Sequence, residues 1–147
     1  MCAVCKVLAK AAQLAASLKP YYINFEKLTR GQMYYQSVYL LCAKDPDTMA
    51  VGAAAREAFG ITTAPYMPHH SLMYSDMTDE ERDAVVAESS KRLYSPADGG
   101  CGGDDSGTHL LAENGFAVNS LCVWYLPEED KTCASWTQIA EFPLGGK

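Results

Sequence analysis

The sequence predicts a mixed fold of α-helices and β-strands in a single domain spanning residues 1–147. Segments with apolar residues at helical spacing alternate along the chain with short runs rich in β-branched and aromatic residues. In addition, the chain is 48% hydrophobic over 147 residues, which is enough to build one compact core. The predicted order of elements is α-β followed by β-α-β-α-β-β.

The charge and hydropathy of the chain exclude two classes of protein. Its formal net charge is −6, whereas proteins that follow a long nucleic acid depend on clustered lysine and arginine side chains. No window of about eighteen apolar residues is present, so we expect no membrane span and no membrane partner. A small phosphorylated ligand is compatible with the charge, because few local cations suffice to bind it. The sequence does not indicate an oligomeric state.

The N-terminal segment lacks the pattern of a signal peptide, because Lys6 and Lys10 interrupt its apolar run. We therefore expect a cytoplasmic protein. The first acidic residue is Glu26, which leaves an organelle transit sequence as the alternative. Apolar residues at helical spacing from Val4 to Leu18 favour an amphipathic helix over that alternative.

The six cysteines predict free thiols rather than a metal site. Only Cys2 and Cys5 have the spacing of a motif, and no second pair completes a four-ligand zinc site. Cys42 and Cys122 lie in apolar strand-like runs and are predicted to be buried. The sequence therefore predicts neither a metal nor another cofactor.

The first half of the chain is predicted to contain two helices and two strands. Proline and glycine mark their ends, because proline cannot continue a helix and glycine accepts the backbone of a helix C-terminus. The predicted order is a helix over 4–18 before Pro20, a strand over 21–26, a turn at Arg30-Gly31, one central strand over 32–43, and a helix from the cap Asp45-Pro46-Asp47 to Gly60.

The second half is predicted to contain three strands and one helix. Threonine followed by three acidic residues is a capping box, which marks the start of the helix. The predicted order is a strand within 65–76, a helix from Thr78 to about Lys91, a flexible loop over 95–108, and strands over 116–126 and 136–142. We expect the strands at 35–41, 69–75 and 120–126 to share one sheet, with both later helices on one side.

Candidate catalytic side chains lie in the strand within 65–76. Alternation places His69 and Ser71 on one face of a regular strand, and His70 and Leu72 on the other. An imidazole can transfer a proton while a nearby hydroxyl donates to a phosphate oxygen. The tripeptide is nevertheless common by chance, so the spacing alone is a weak signal of catalysis.

Four ordered blocks of sequence resemble the plant and fungal cyclic phosphodiesterases of the two-histidine phosphoesterase superfamily. The resemblance covers nearly the whole chain from about residue 10. The blocks are Tyr35-Gln36-Ser37-Val38-Tyr39-Leu40 after Gly31, Ala55-Arg56-Glu57-Ala58-Phe59-Gly60, Pro65 to Asp76 running into Thr78 and Glu80, and a C-terminal block with Val123-Trp124-Tyr125, Asp130-Lys131-Thr132, Ser135-Trp136 and Ala140-Glu141-Phe142.

The resemblance implies a bilobal α+β fold with antiparallel sheets and pseudo-twofold symmetry, in which each lobe contributes one His-x-Thr/Ser strand. It also implies metal-independent opening of ribose cyclic phosphates, namely ADP-ribose 1″,2″-cyclic phosphate and nucleoside 2′,3′-cyclic phosphates. One histidine would deprotonate the attacking water and the other would protonate the leaving ribose oxygen.

The resemblance assigns roles to three residues. His69 and Ser71 occupy the second motif, and Tyr74 matches a family tyrosine that reaches the phosphate. In a regular strand Tyr74 would face away from His69, so this role requires a twist or bulge, and ordinary core packing is the alternative. His70 stands where the family usually has a core-facing aliphatic residue. His109 is expected to be an exposed loop residue.

The sequence departs from the family pattern at the first motif. No His-x-Thr strand precedes the first helix, so we expect the N-terminal lobe to be incomplete. Two interpretations follow: a truncated cyclic phosphodiesterase, or a relative that binds nucleotide without catalysis.

Overall fold

The computed structural model describes residues 2–63, 65–94, 114–127, 129–130 and 132–145. The predicted loop over 95–108 and His109 lie outside these residues.

The mixed α+β class with antiparallel sheets is confirmed. The elements are α1 (Ala3–Ser17), β1 (Tyr21–Arg30), a 3₁₀-helix (Tyr34–Gln36), β2 (Val38–Cys42), α2 (Pro46–Phe59), β3 (His69–Met73), α3 (Asp79–Leu93), β4 (Gly115–Val118), β5 (Ser120–Tyr125) and β6 (Thr137–Pro143).

The strands form two sheets. Four strands pair in the order β3-β2-β1-β4, and β5 pairs with β6 in a separate two-stranded sheet. The β1/β2, β2/β3 and β5/β6 pairs are all antiparallel. The expectation that the strand at 120–126 shares a sheet with β2 and β3 is therefore wrong, because that strand pairs with β6.

The chain divides into two compact units. The first comprises Met1–Ile23, Ala43–Pro68 and Ala117–Lys147, and the second comprises Asn24–Cys42 and His69–Phe116. Our expectation of one domain over residues 1–147 stays a prediction.

The first unit contains α1, α2, β5 and β6, with α1 in contact with the other three. The predicted apolar stripe of α1 is confirmed in its C-terminal half, where Ala11, Leu14 and Ala15 are buried. Val4 and Val7, which the stripe also included, are exposed. The Gly145 backbone N–H donates to the Ala15 carbonyl at 3.0 Å and ties the chain after β6 to this helix. No helix in the described part of the chain is long and apolar enough to cross a lipid bilayer.

The second unit has its core between α3 and one face of the four-stranded sheet. Leu28, Val38 and Leu40 are buried there, and Val85 and Val86 of α3 pack against them. In β2, every residue except Leu41 is buried. The prediction of a central strand is therefore confirmed for Val38–Cys42.

The prediction of one strand over residues 32–43 is wrong for its first half. Residues 34–36 form a 3₁₀-helix instead. The Gly31 N–H donates to the carbonyls of Gln36 and Ser37 at 2.9 and 3.2 Å, which folds this segment into a tight turn. The turn forms despite the local β-propensity, because its own backbone N–H and C=O groups hydrogen-bond to each other.

The prediction of one strand over residues 116–126 is also wrong. The segment breaks at Asn119, so that β4 joins the four-stranded sheet and β5 joins β6. The Asn119 carbonyl accepts a hydrogen bond from the Leu144 N–H at 2.8 Å. Cys42 is buried as predicted, whereas Cys122 is exposed, because β5 belongs to a two-stranded sheet.

Charged side chains fix the start of α3 against the sheet. Arg30 of β1 forms two bonds to Asp83, at 2.8 and 3.0 Å, and one to Asp79 at 3.0 Å. Arg82 donates to Asp79 at 3.1 Å and to the fully buried Ser37 hydroxyl at 3.3 Å. These bonds join α3 to the strand and turn that precede the candidate site.

The predicted capping box of α3 is present. The Glu81 N–H donates to the Thr78 hydroxyl at 3.2 Å, and the Thr78 N–H donates to the Glu81 carboxylate at 2.7 Å. Two of the free N–H groups of the helix start are thereby satisfied.

Acid is expected to weaken the contact between Arg30 and Asp83. Hydrogen bonding to Arg30 lowers the pKa of the Asp83 carboxyl. A carboxyl whose folded pKa is depressed stabilises the fold above its unfolded pKa of about 3.9, and this contribution is lost as the pH falls through the folded pKa. The melting temperature of Asp83→Asn should therefore fall less than that of the wild type between about pH 5 and pH 2.

The matched control is Glu80→Gln, which removes one carboxylate from the first turn of the same helix. It should keep the acid sensitivity of the wild type. Equal acid sensitivity of Asp83→Asn and the wild type would contradict the assignment of this acid-sensitive stabilisation to the contact between Arg30 and Asp83.

Candidate active site

The candidate site is built on β3, which is one of the two edge strands of the four-stranded sheet. His69 is the first residue of this strand and follows the buried Pro68. Proline suits this position because it has no N–H to donate to the ladder. The predicted strand within residues 65–76 is therefore confirmed, with only the five residues His69–Met73 in the ladder.

The strand register sorts the side chains onto two faces. Leu41 pairs with His69 and Tyr39 pairs with Ser71, whereas the core residue Leu40 pairs with His70. Residues directly opposite each other on neighbouring strands point to the same face of a sheet. His69 and Ser71 therefore lie together on the face away from α3, as the alternation predicts.

His69 and Ser71 are both partly exposed. A packed core would have excluded substrate from these side chains, and the structure does not place them in one. The pair consequently combines an imidazole and a hydroxyl on one accessible face of a paired strand, which keeps their spacing fixed.

Tyr39 forms the wall beside His69. The residue is 8% exposed, and its ring contacts the imidazole in a T-shaped arrangement, with 5.3 Å between ring centroids. Tyr39 also pairs with Ser71 across the ladder, so this one residue is a neighbour of both candidate residues. This neighbour limits the rotamers that the His69 ring can adopt.

An irregularity in β3 bears on the role of Tyr74. Tyr39 pairs with Ser71 but the adjacent Val38 pairs with Met73, so β3 contains one extra residue at Leu72. An extra residue reverses the alternation of faces beyond it. By this count Tyr74 falls on the face of His69 and Ser71, which a regular strand would not allow.

Tyr74 lies in a cluster of three tyrosine rings. Its ring centroid is 5.4 Å from that of Tyr35 and 6.3 Å from that of Tyr34, and the last two are 5.0 Å apart. Tyr34 and Tyr35 belong to the 3₁₀-helix that replaces the first half of the predicted strand. The ring of Tyr74 therefore packs against other aromatic rings. The role of its hydroxyl at the phosphate stays a prediction.

His70 has different surroundings from His69. Its ring lies 6.0 Å from both Phe25 and Phe116, which are themselves 5.8 Å apart. It is exposed and lies on the α3 face of the sheet. Adjacent histidines therefore occupy opposite faces, and only His69 shares a face with Ser71.

Comparison with known proteins identifies the family of the chain. Residues 2–142 match the family model described as cyclic phosphodiesterase-like protein. The chain belongs to this family. It is 32% identical over 124 residues to a cyclic phosphodiesterase from Arabidopsis thaliana, a match that covers 84% of this chain and 60% of the relative. It is also 56% identical over 34 residues to a cyclic phosphodiesterase from Triticum aestivum, which covers 23% of this chain and 67% of that protein.

Membership of the cyclic phosphodiesterase-like family confirms the resemblance noted in the sequence. The chain spans only about 60% of the length of the Arabidopsis relative. Within the described residues, no group of three or more His, Cys, Asp or Glu side chains is arranged to hold a metal ion.

Tyr39 is the residue of the site that sequence reasoning did not single out. The alternation of β2 was visible, since Val38, Leu40 and Cys42 form an apolar series. That alternation places Tyr39 on the opposite face but does not reveal which residue of another strand lies beside it. Only the pairing of β2 with β3 brings Tyr39 to His69.

Loss of the Tyr39 ring is expected to impair the site more than loss of its hydroxyl. The ring orients the imidazole by contact, so Tyr39→Phe should keep turnover of a cyclic phosphate within about threefold, whereas Tyr39→Ala should lower it by about 10². The measurement is the initial rate with a nucleoside 2′,3′-cyclic phosphate, with the melting temperature of each variant taken in parallel.

A cavity at position 39 will also destabilise the fold, so a second readout is required. The C2–H resonance of His69 in Tyr39→Ala should move toward that of a solvent-exposed imidazole, whereas the corresponding His70 resonance should stay unchanged. Equal rates for Tyr39→Phe and Tyr39→Ala would contradict an orienting role of the ring.

Proposed function

We propose that this chain supplies His69 and Ser71 as one half of a catalytic site that hydrolyses cyclic phosphates on ribose without a metal. The observation that carries the proposal is the position of both side chains on one accessible face of β3, in a chain of the cyclic phosphodiesterase-like family. A histidine and a hydroxyl at this spacing can act on one phosphate together.

In the proposed reaction, water attacks the phosphorus atom and the bond to one ribose oxygen breaks, which leaves a phosphate monoester. The water loses a proton and the ribose oxygen gains one. The His69 imidazole performs one of these transfers. The Ser71 hydroxyl donates to a non-bridging phosphate oxygen as negative charge develops on it, and the Tyr74 hydroxyl is proposed to bind the same phosphate.

The second proton transfer requires another group. The 147 residues contain three histidines, and His69 is the only one followed two positions later by serine or threonine. In the proposed scheme the second transfer comes from an equivalent His-x-Thr strand in the full catalytic unit, as the family resemblance implies.

The proposed substrates are ADP-ribose 1″,2″-cyclic phosphate and nucleoside 2′,3′-cyclic phosphates. Both have a five-membered cyclic phosphate on a ribose, which fits a site that needs to contact only the phosphate and the leaving oxygen. The net charge of −6 supports a small nucleotide rather than a long nucleic acid as the partner. A cytoplasmic location is proposed with it.

A second candidate function is nucleotide binding without turnover. The presence of a single His-x-Ser motif favours it, because hydroxyls can hold a phosphate after one catalytic group is lost. The test is titration with a nucleoside 2′-phosphate, followed by calorimetry. Binding that Ser71→Ala weakens by about tenfold, in a protein with no turnover, supports this candidate.

The same preparations test hydrolysis directly. Release of a nucleoside monophosphate from a 2′,3′-cyclic phosphate should persist after treatment with a chelator, because imidazole and hydroxyl groups perform the steps. Activity that a chelator abolishes and added zinc or magnesium restores would overturn the metal-independent mechanism. Absence of both binding and turnover would overturn both candidate functions.

A further inference from the structure

Two cysteine side chains meet at the start of α1. Cys2 occupies the N-cap position and Cys5 lies in the first turn. Their sulfur atoms are 2.7 Å apart, and the Cys5 N–H donates to the Cys2 sulfur at 3.2 Å. Both residues are exposed free cysteines. The sulfurs of a disulfide are about 2.05 Å apart, so closure of this pair requires little movement.

The surroundings of Cys2 favour its thiolate. The hydrogen bond shared with the Cys5 side chain lowers the pKa of the Cys2 thiol, and the Cys5 backbone N–H lowers it further. The first turn of α1 carries no acidic side chain that would oppose a negative sulfur. Unpaired N–H groups at a helix start also favour negative charge.

Cys42 provides the contrast within the same chain. It is buried in β2, and burial raises the pKa of its thiol. Thiolates rather than thiols react with disulfides, so exposed cysteines with stabilised thiolates are the reactive ones. Reactivity toward a disulfide is therefore expected at Cys2 rather than at Cys42.

We propose that Cys2 and Cys5 form a thiol–disulfide exchange site that reacts with a small-molecule disulfide of the glutathione type. The Cys2 thiolate attacks one sulfur of glutathione disulfide, whose S–S bond breaks and releases one glutathione thiol. Cys5 then loses its proton to solvent and attacks the Cys2 sulfur, which releases the second glutathione. Two protein thiols are oxidised and one disulfide is reduced to two thiols.

The test uses the whole 147-residue protein, reduced and then exposed to glutathione disulfide. After an acid quench, remaining thiols are alkylated and peptides are identified by mass. The wild type should lose two thiols and yield a Cys2–Cys5 disulfide peptide. Cys5→Ser should accumulate glutathione on Cys2, because the resolving thiol is gone. Cys2→Ser should leave Cys5 reduced over the same interval.

Cys122→Ser is the matched control, because Cys122 is also exposed but is not hydrogen-bonded to Cys2 or Cys5 in the structure. It should form the Cys2–Cys5 peptide at the wild-type rate. The proposal fails if the wild type yields no such peptide, if Cys5→Ser carries no glutathione on Cys2, or if Cys2→Ser oxidises Cys5 as fast as the wild type. None of these readouts depends on the proposed hydrolysis of cyclic phosphates.

Discussion

Replacement of His69 with alanine is expected to lower the hydrolysis of a nucleoside 2′,3′-cyclic phosphate by about 10² to 10⁴. This range is the typical contribution of one general acid or base. The rate is best measured under single turnover in a form of the protein extended upstream with a His-x-Thr strand, where the activity before substitution is expected to be high. Substrate affinity should change far less than the rate, because the imidazole acts mainly in the transition state.

The chain contains an unusually close control for this experiment. His70→Ala removes an adjacent imidazole that contacts Phe25 and Phe116 on the opposite face of the sheet. Its effect on the rate should be within about threefold, apart from any loss of folded protein. Equal losses from His69→Ala and His70→Ala would show that the two substitutions act through the fold rather than through a proton transfer.

The 147-residue chain by itself is expected to hydrolyse the same substrate at least about 10² more slowly than a form extended upstream with a His-x-Thr strand. In the proposed mechanism, one of the two proton transfers lacks its group in the shorter chain, since the sequence contains a single His-x-Ser motif. The second strand would also add a hydroxyl donor and exclude water from the site. Steady-state rates across pH 5 to 9 are the measurement.

The shape of the pH profile separates this explanation from a general loss of stability. The shorter chain should show one limb, and the extended form should show the bell shape of an acid and a base acting together. Alanine in place of the histidine of the added motif should return the profile to one limb. Full activity of the 147-residue chain that His69→Ala leaves unaffected would mean that the site is elsewhere.

Much of the helical structure was predictable because its signals are local. Pro20, the capping box at Thr78 and Gly60 mark helix ends through the backbone conformations and hydrogen bonds that these residues allow. Gly60 has a positive φ of 67°, as expected of a helix C-terminus. Helix α1 was readable from its apolar stripe for the same reason, since its period depends on residues three and four apart.

The strands were predicted less well because their pairing involves distant residues. The run over 32–43 has strong β-propensity throughout, yet its first half forms a 3₁₀-helix once Gly31 bonds Gln36 and Ser37. The run over 116–126 divides between two sheets at Asn119. In neither case does a local pattern show which partner supplies the backbone hydrogen bonds.

For this protein, the sequence by itself determined the helix boundaries, the His69-x-Ser71 pair and its shared strand face, because each depends on residues a few positions apart. Only the tertiary structure decided that Tyr39 contacts His69 and that an extra residue in β3 shifts the register before Tyr74. Those features arise from the alignment of β2 with β3, strands about thirty residues apart in the chain. Strand register is set by the packing of the whole sheet, so no local pattern encodes it.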